Sequence, residues 1–384
     1  MLGIPMLLAA ATLSATSGAG TALRADLQSY LSAHRAAEHI SAASLSVSFA
    51  DGKMLDVAAG TTAYGGGAAV TPQSLFQIGS NTKAFTAALI VKLQSDKALS
   101  VEDTLGRWLP QYGPWKAITI HKLLDMTSGI ETYDDVLAML KAYSANPYHF
   151  FSETDLVGYV NPNKPLRPGW HYSNTGYILS SMIAQKVSGG TPYEDLVRSR
   201  VIAPTKIANI YYYPDIYPAN LRARTVQGYF YSRDPDNAGL APLLGKSMRD
   251  YSTSWTQAAG GIVATPHAVA LWARDLYRGP ILTSAERAEM ETLVSVKTGK
   301  PIKEATEQDP GGFGLGLSEM YKPGLGRIWF YEGETLGYRV VHVYFPQQNL
   351  VIAFGLNSQP DKAQDHVGDL IVSVVKTLKK YGLY

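Results

Sequence analysis

Apolar and polar positions divide this chain into three zones. Leu23 to Glu38 is alanine-rich with a helical repeat and predicts a first helix. Ser44 to Phe49 alternates, Asp51-Gly52 is a strong two-residue hairpin turn, and Met54 to Ala59 returns as a second strand. A glycine-rich loop over 65–67 follows, and Phe76-Gln77-Ile78-Gly79 then leads into 80–94. There Phe85, Leu89, Val91 and Leu93 among many alanines predict a buried helix. From about residue 96 to 250, short helical patterns alternate with loops rich in Pro, Gly and aromatic residues, and few strands are expected. Strand patterns return at Arg327 to Tyr331, Tyr338 to Phe345 and Leu350 to Leu356, the last two joined by a turn over 346–349. Gly368 to Lys380 predicts a closing helix.

This distribution predicts an α+β fold. Strands from both ends share one antiparallel sheet flanked by helices, and a mostly helical domain is inserted between them. The expected boundaries are 23–95 plus 251–384 for the sheet domain and 96–250 for the helical one. Residues 1–22 stand apart. Leu2 to Ala15 is apolar but too short to span a bilayer, and small residues follow, as in a cleaved export signal. That signal lacks a basic residue ahead of its apolar run, the first being Arg24. The expectation is an exported, periplasmic or extracellular protein with no membrane span.

Composition narrows the chemistry. Apolar residues make up 46% of the 384 and charged residues 17%, which suits a globular core. Lysine plus arginine total 34 against 32 acids with no long basic run, so no nucleic-acid partner is expected. The absence of cysteine excludes disulfides, thiol catalysis and thiolate metal sites. The eight histidines include no His-Glu-x-x-His, and His34 and His39 are five apart, so neither a metal nor another cofactor is expected. No Gly-x-Ser-x-Gly elbow occurs, which argues against an α/β-hydrolase. The oligomeric state is left open.

A serine hydroxyl needs an adjacent base to become a nucleophile. In Ser80-Asn81-Thr82-Lys83, a spacing of three on a helix puts Ser80 and Lys83 on one face. Lys83 lies in an apolar run, and burial and the helix N-terminus both disfavour its charged form, as a base requires. Ser80 at the helix start also aims its backbone N–H at a developing oxyanion. Ser-x-x-Lys alone is weak, since about one or two copies arise by chance in such a composition. A second copy, Ser373 to Lys376, sits in the closing helix. Downstream, Pro168-Gly169-Trp170-His171-Tyr172-Ser173-Asn174 supplies a Tyr-x-Asn. On an extended loop Tyr172 and Asn174 project the same way. Tyr172 would exchange a proton with Ser80, its pKa lowered by cationic Lys83, and Asn174 would hold Lys83 and a substrate carbonyl.

These motifs together resemble the serine β-lactamase and penicillin-binding superfamily, on the branch of class C β-lactamases, D-Ala-D-Ala carboxypeptidases, D-aminopeptidases and family VIII esterases. The likeness runs from about residue 40 to 358. It is carried by 76–83, Leu123-Leu124-Asp125-Met126-Thr127-Ser128-Gly129-Ile130, 168–177, Ala258 to Thr265 and Gly312 to Leu317. The resemblance implies Ser80 as nucleophile, Lys83 and Tyr172 as proton-transfer partners, Asn174 as a substrate and lysine contact, and a β-lactamase/DD-peptidase-like fold.

The third motif departs. The family has Lys or His, then Thr or Ser, then Gly on the strand beside the site. The literal Lys297-Thr298-Gly299 precedes Gly312 to Leu317 and has charged neighbours, so the positional match is Tyr331-Glu332-Gly333, followed by Glu334. The backbone N–H of Glu334 would then complete the oxyanion hole with that of Ser80. Tyr331 removes the cation that helps hold a substrate carboxylate, unless Arg339 or Arg327 compensates. Alternation puts Glu332 and Glu334 on the face opposite Tyr331. The expectation is a serine hydrolase forming an acyl-enzyme from a small-molecule or peptide-like ester or amide that needs no carboxylate. The alternatives are a β-lactamase or D-Ala-D-Ala carboxypeptidase using Arg339, and an inactive binding or sensor domain.

Overall fold

Hydrogen bonding between the two ends of the chain builds the central sheet. The computed structural model describes residues 4–384, with side chains from Thr16 onward. Ten strands form the sheet: β1 (Ala42–Ser48), β2 (Met54–Ala63), β3 (Gly66–Ala69), β4 (Leu293–Ser295), β5 (Pro301–Ile302), β6 (Gly311–Phe313), β7 (Ser318–Lys322), β8 (Gly326–Thr335), β9 (Tyr338–Phe345) and β10 (Leu350–Leu356). Their spatial order is β3-β2-β1-β10-β9-β8-β7-β6-β4-β5. N-terminal β1 runs antiparallel to C-terminal β10, with Ala43 opposite Leu356 and Ser48 opposite Val351. Three hairpins then lead outward from β10 to β7.

Period-two alternation sorts the two faces of the sheet. Helices α1 (Ile4–His34) and α5 (Val367–Lys380) cover one face, where Leu23, Leu27, Leu370 and Val374 pack on Val341, Val343 and Phe354. The other face, with Tyr338, Val340 and Tyr344, belongs to the larger core around α2 (Thr82–Ser95), α3 (Asn174–Val187) and α4 (Pro266–Tyr277). Between residues 96 and 250 the described strands are Ile210–Tyr212 and Tyr229–Phe230. Both pair outside that stretch, with Ile262–Ala264 and Ser358–Gln359, and so tie the helical part to the sheet part.

The first helix differs from expectation. Of the predicted leader, Met1 to Gly3 lies outside the described residues, as do the side chains up to Ala15. From Ile4 the helix runs through Ala22 without a break. Ala19 is fully buried, and a Cβ on Gly18 would stand 2.8 Å from the Tyr381 ring. The helix therefore starts upstream of Leu23, because small residues there let it lie against the C-terminal segment.

Arg339 requires a correction. On β9 it shares the face of Val341 and Val343, away from the core that holds α2. There it is fully buried, bonded to Glu38 Oε2 (2.5 Å), Asp365 Oδ1 (2.6 Å) and the Ser358 carbonyl (2.9 Å). It is a structural ion-pair residue and cannot swing to a substrate carboxylate. Removing one partner of a buried pair leaves an uncompensated charge. Arg339→Met should lower unfolding stability by about 3–5 kcal/mol in denaturant titrations; a loss under about 1 kcal/mol would show that Glu38 does not depend on it.

Candidate active site

Helix α2 is apolar on every side, and eleven of its 14 residues are buried. A helix of that kind belongs in the middle of a core, and it carries Lys83 in with it. The Lys83 side chain is fully buried, with Nζ 2.9 Å from Ser80 Oγ and 3.0 Å from the Ala259 carbonyl. Burial pushes its pKa down to about 7, against an opposing pull from the Asp134 carboxylate. An amine near neutrality at pH 7 has a lone pair to offer the serine proton.

Ser80 lies in a tight turn (Gly79–Asn81) that β8 approaches closely. Gly79 has φ +52°, and a Cβ there would stand 2.4 Å from Glu334 O and 2.7 Å from Glu334 N. A Cβ on Gly333 would meet Ile78 O at 2.0 Å. Only glycine at both places lets the Glu334 backbone lie beside Ser80, as a two-donor oxyanion hole requires. Asn81 fixes this approach. Its Nδ2 donates to the carbonyls of Ile78 (3.0 Å) and Val340 (2.7 Å), so its Oδ1 accepts from His342 Nδ1 (2.7 Å). His342 is buried, its pKa pushed down to about 4, and its Nε2 accepts from Tyr277 Oη (3.1 Å).

Tyr172 completes the cluster, its Oη 2.5 Å from Ser80 Oγ and its ring 4.8 Å from Lys83 Nζ. Desolvation of the hydroxyl end pushes its pKa up, hydrogen bonding to Ser80 pulls it down, and the upward effect wins. This reverses the expected lowering by Lys83: an amine that is itself poised near neutrality supplies little charge. Asn174 departs as well. It opens α3, its Nδ2 donates to Asp134 Oδ2 (2.6 Å), and its buried Oδ1 has no hydrogen-bond partner. No hydrogen bond joins it to Lys83. Tyr331 is 6% exposed and stands on the cleft side of β8, near enough to Tyr172 to influence its hydroxyl, while its own hydroxyl makes no well-aligned hydrogen bond. Glu332 and Glu334 point to the other face, toward Arg339 and Asp365.

Comparison with known proteins places the chain. A family model described as Beta-lactamase matches residues 27–376. The chain belongs to the beta-lactamase family. Penicillin-binding protein 4* of Bacillus subtilis (strain 168) is 25% identical over 307 residues, covering 77% of this chain and 65% of that relative, so the chain spans just under two thirds of its length. Among solved structures, the D-amino acid amidase from Ochrobactrum anthropi SV3 superposes with TM-score 0.78 at 21% identity, covering 94% of this chain and 99% of that one. A D-stereospecific amidohydrolase from Streptomyces sp. superposes with TM-score 0.74 at 23% identity, covering 91% and 97%. At these identities the likeness establishes the fold alone.

Two further motifs of this beta-lactamase-family chain act on Lys83 through backbone. Ala259 supplies the carbonyl that holds its amine, and a Cβ on Gly316 would stand 2.8 Å from the Lys83 carbonyl. Thr298-Gly299 forms the β4–β5 turn and packs on Gly169 and Trp170, behind the Tyr172 loop. Asp134 is the residue that sequence reasoning missed. It sits in a short 3-10 turn (Tyr133–Asp135) just after the Leu123 to Ile130 run. An Asp in a loop carries no signature of its own; hydrogen bonds of Asn174 Nδ2 to Asp134, of the Asn174 N–H to Thr132 Oγ1 and of the Tyr133 N–H to Thr175 Oγ1 bring it to the site.

These pKa directions fix a pH profile. If Lys83 is the base, kcat/KM of an acyl substrate should fall below pH about 7, as the amine takes up a proton. The Asp134 carboxylate raises that pKa, so Asp134→Asn should move the acid limb to lower pH. A limb that stays put or moves upward in stopped-flow acylation would remove Lys83 from the base role.

Proposed function

We propose that this chain is a serine acyl hydrolase for amide or ester donors that lack a carboxylate next to the reacting carbonyl and carry an ammonium group on the acyl side. One observation supports the reading most. The Ser80 cluster has the Asp134 carboxylate close enough to influence both Lys83 and Tyr172. None of the three residues considered for a carboxylate clamp is free for it, since Tyr331 is a phenol, Arg339 is committed to Glu38 and Asp365 on the other face, and Arg327 is paired with Glu304 and Glu319. A carboxylate at the rim favours an ammonium and disfavours a second carboxylate. Family members named as D-amino acid amidases and D-stereospecific amidohydrolases share the fold and agree with this direction.

In the proposed cycle, neutral Lys83 takes the Ser80 proton as Oγ attacks the acyl carbonyl. The oxyanion lies between the backbone N–H groups of Ser80 and Glu334. Tyr172, its phenol protonated, hands a proton to the departing amine or alkoxide and recovers one from Lys83, so that the C–N or C–O bond breaks with the leaving group neutral. Water then attacks the acyl-enzyme, with the Lys83/Tyr172 pair accepting its proton and Ser80 Oγ leaving. Gly333 contributes space, and Asn174 holds Asp134 in place. The apolar stretch from Leu2 to Ala15 belongs to the same reading as an export signal. Among the described residues, no helix is long and apolar enough to cross a membrane.

The test is a panel of a D-amino-acid p-nitroanilide, a short-chain p-nitrophenyl ester and a chromogenic cephalosporin, assayed at pH 7, where an α-amine is still mostly ammonium and the ester reports any change in Lys83 itself. The anilide and the ester should turn over and the cephalosporin should not. Ser80→Ala should remove at least about a thousandfold of kcat. Asp134→Asn should cost the anilide about tenfold or more in kcat/KM, near 1.4 kcal/mol, and leave the ester within about twofold. Rapid cephalosporin turnover would favour the β-lactamase alternative, and failure of every donor to label Ser80 would favour a binding domain. Separately, Tyr331→Lys should improve the relative affinity for an N-succinylated substrate over its uncharged analogue in competition assays; an unchanged ratio would mean that Tyr331 does not occupy the clamp position.

A further inference from the structure

The side of the sheet away from Ser80 holds a second cluster of ligand-type side chains. His34 ends α1, Glu38 follows one turn later, and His366 precedes the first residue of α5. Glu38 is fully buried, whereas His34 and His366 are partly open to solvent, at 19% and 31% side-chain exposure. The two imidazoles stack with centroids 4.2 Å apart and planes 23° from parallel. Both Nδ1 atoms face one oxygen, Glu38 Oε1, His34 from 3.8 Å and His366 from 3.1 Å. One potential ligand atom from each of the three residues lies within 4.8 Å of the other two.

We propose that His34, Glu38 and His366 form a binding site for a first-row divalent transition-metal ion such as Zn2+, with water completing its coordination. The spacing is the first argument. Zinc bonds of about 2.0–2.2 Å to nitrogen and oxygen at tetrahedral angles put neighbouring ligand atoms about 3.3 Å apart. The separations of 3.1 and 3.8 Å bracket that value, so an ion enters with small side-chain shifts. Stacked imidazoles aimed at a single oxygen make one hydrogen bond there and leave the second ring a poor one; a metal ion uses both lone pairs. Without metal, His366 donates its Nδ1–H to Glu38; on binding, each ring gives up the Nδ1 proton, to Nε2 or to solvent, and presents the Nδ1 lone pair, so the step needs no redox partner.

Charge is the second argument. Glu38 and Asp365 share the single guanidinium of Arg339, so two carboxylates lean on one cation, while burial beside them pushes the Glu332 and Glu334 carboxyls up toward their neutral forms. A divalent cation at Glu38 Oε1 relieves that excess. The Tyr30 hydroxyl, 2.8 Å from Oε1 and 3.0 Å from Oε2, would turn to Oε2 beside Arg339, and the two would orient the carboxylate as outer partners. Imidazole donors favour zinc, nickel or copper over magnesium. The ion would staple the end of α1 to the start of α5 across β9, far from the acyl chemistry in sequence and on the opposite face of the sheet.

Isothermal titration of tag-free, EDTA-stripped protein with ZnCl2 at pH 7.5 tests this. One equivalent of Zn2+ should bind, Mg2+ should give no heat, and the thermal midpoint should rise by several degrees. His34→Gln and His366→Gln retain an N–H donor toward Glu38 while removing a good ligand. Each should weaken Zn2+ binding at least tenfold and leave the metal-free midpoint unchanged. X-ray absorption at the zinc edge of wild-type protein should show two imidazole ligands, a readout that does not depend on the variants folding. The proposal is overturned by the absence of saturable binding, by wild-type affinity in both variants, or by a zinc spectrum without imidazole.

Discussion

Everything at the candidate site depends on holding an amine inside an apolar helix. A lysine without solvent cannot keep its proton at no cost, and the fold answers this by surrounding α2 on all sides, which brings Lys83 to a pKa of about 7. The compensation is small and specific. The Ala259 carbonyl and Ser80 Oγ accept from the amine, the Tyr172 and Tyr177 rings stand 4.8 and 5.3 Å away, and the Asp134 carboxylate lies further out. Burial that deep needs close packing all round, which explains glycine at 79, 316 and 333, where backbone meets backbone.

The sheet performs the second separation. Adjacent residues on β8 face opposite ways, so Tyr331 looks into the cleft while Glu332 and Glu334 join Arg339, Asp365 and Glu38 behind it. The same strand thus borders a reactive, partly dry cleft on one side and a charged network on the other. Two chemistries at opposite faces of one strand are insulated by the strand itself, because backbone hydrogen bonding to β9 fixes the register and leaves no side chain free to turn over.

The sequence was legible where a pattern is local. The β1–β2 hairpin at Asp51-Gly52, the strands near 327, 338 and 350, and the buried character of α2 follow from alternation, turn chemistry and apolar runs read over a few residues. Ser80 and Lys83 were legible as a pair because a helix fixes residues three apart. Tyr172 was legible only through its motif, and its contact with Ser80 spans 92 positions. The run of α1 upstream of Leu23 was not legible, because small residues at 16–22 suit a processing site and a close-packed helix equally well.

Sequence alone determined which residue types exist for the chemistry: a serine and lysine at helical spacing in an apolar run, a Tyr-x-Asn, glycines at tight places, and a phenol where the family has a cation. Tertiary structure decided which of them meet. Asn174 turned to Asp134 instead of Lys83, Arg339 was withdrawn behind the sheet, and His34 found His366 from the far end of the chain in place of His39, its near neighbour in sequence. The reason is physical. Local spacing fixes direction within one helix or strand, but the charge and desolvation acting on a group come from whatever packs against it, and those neighbours are assembled from distant segments.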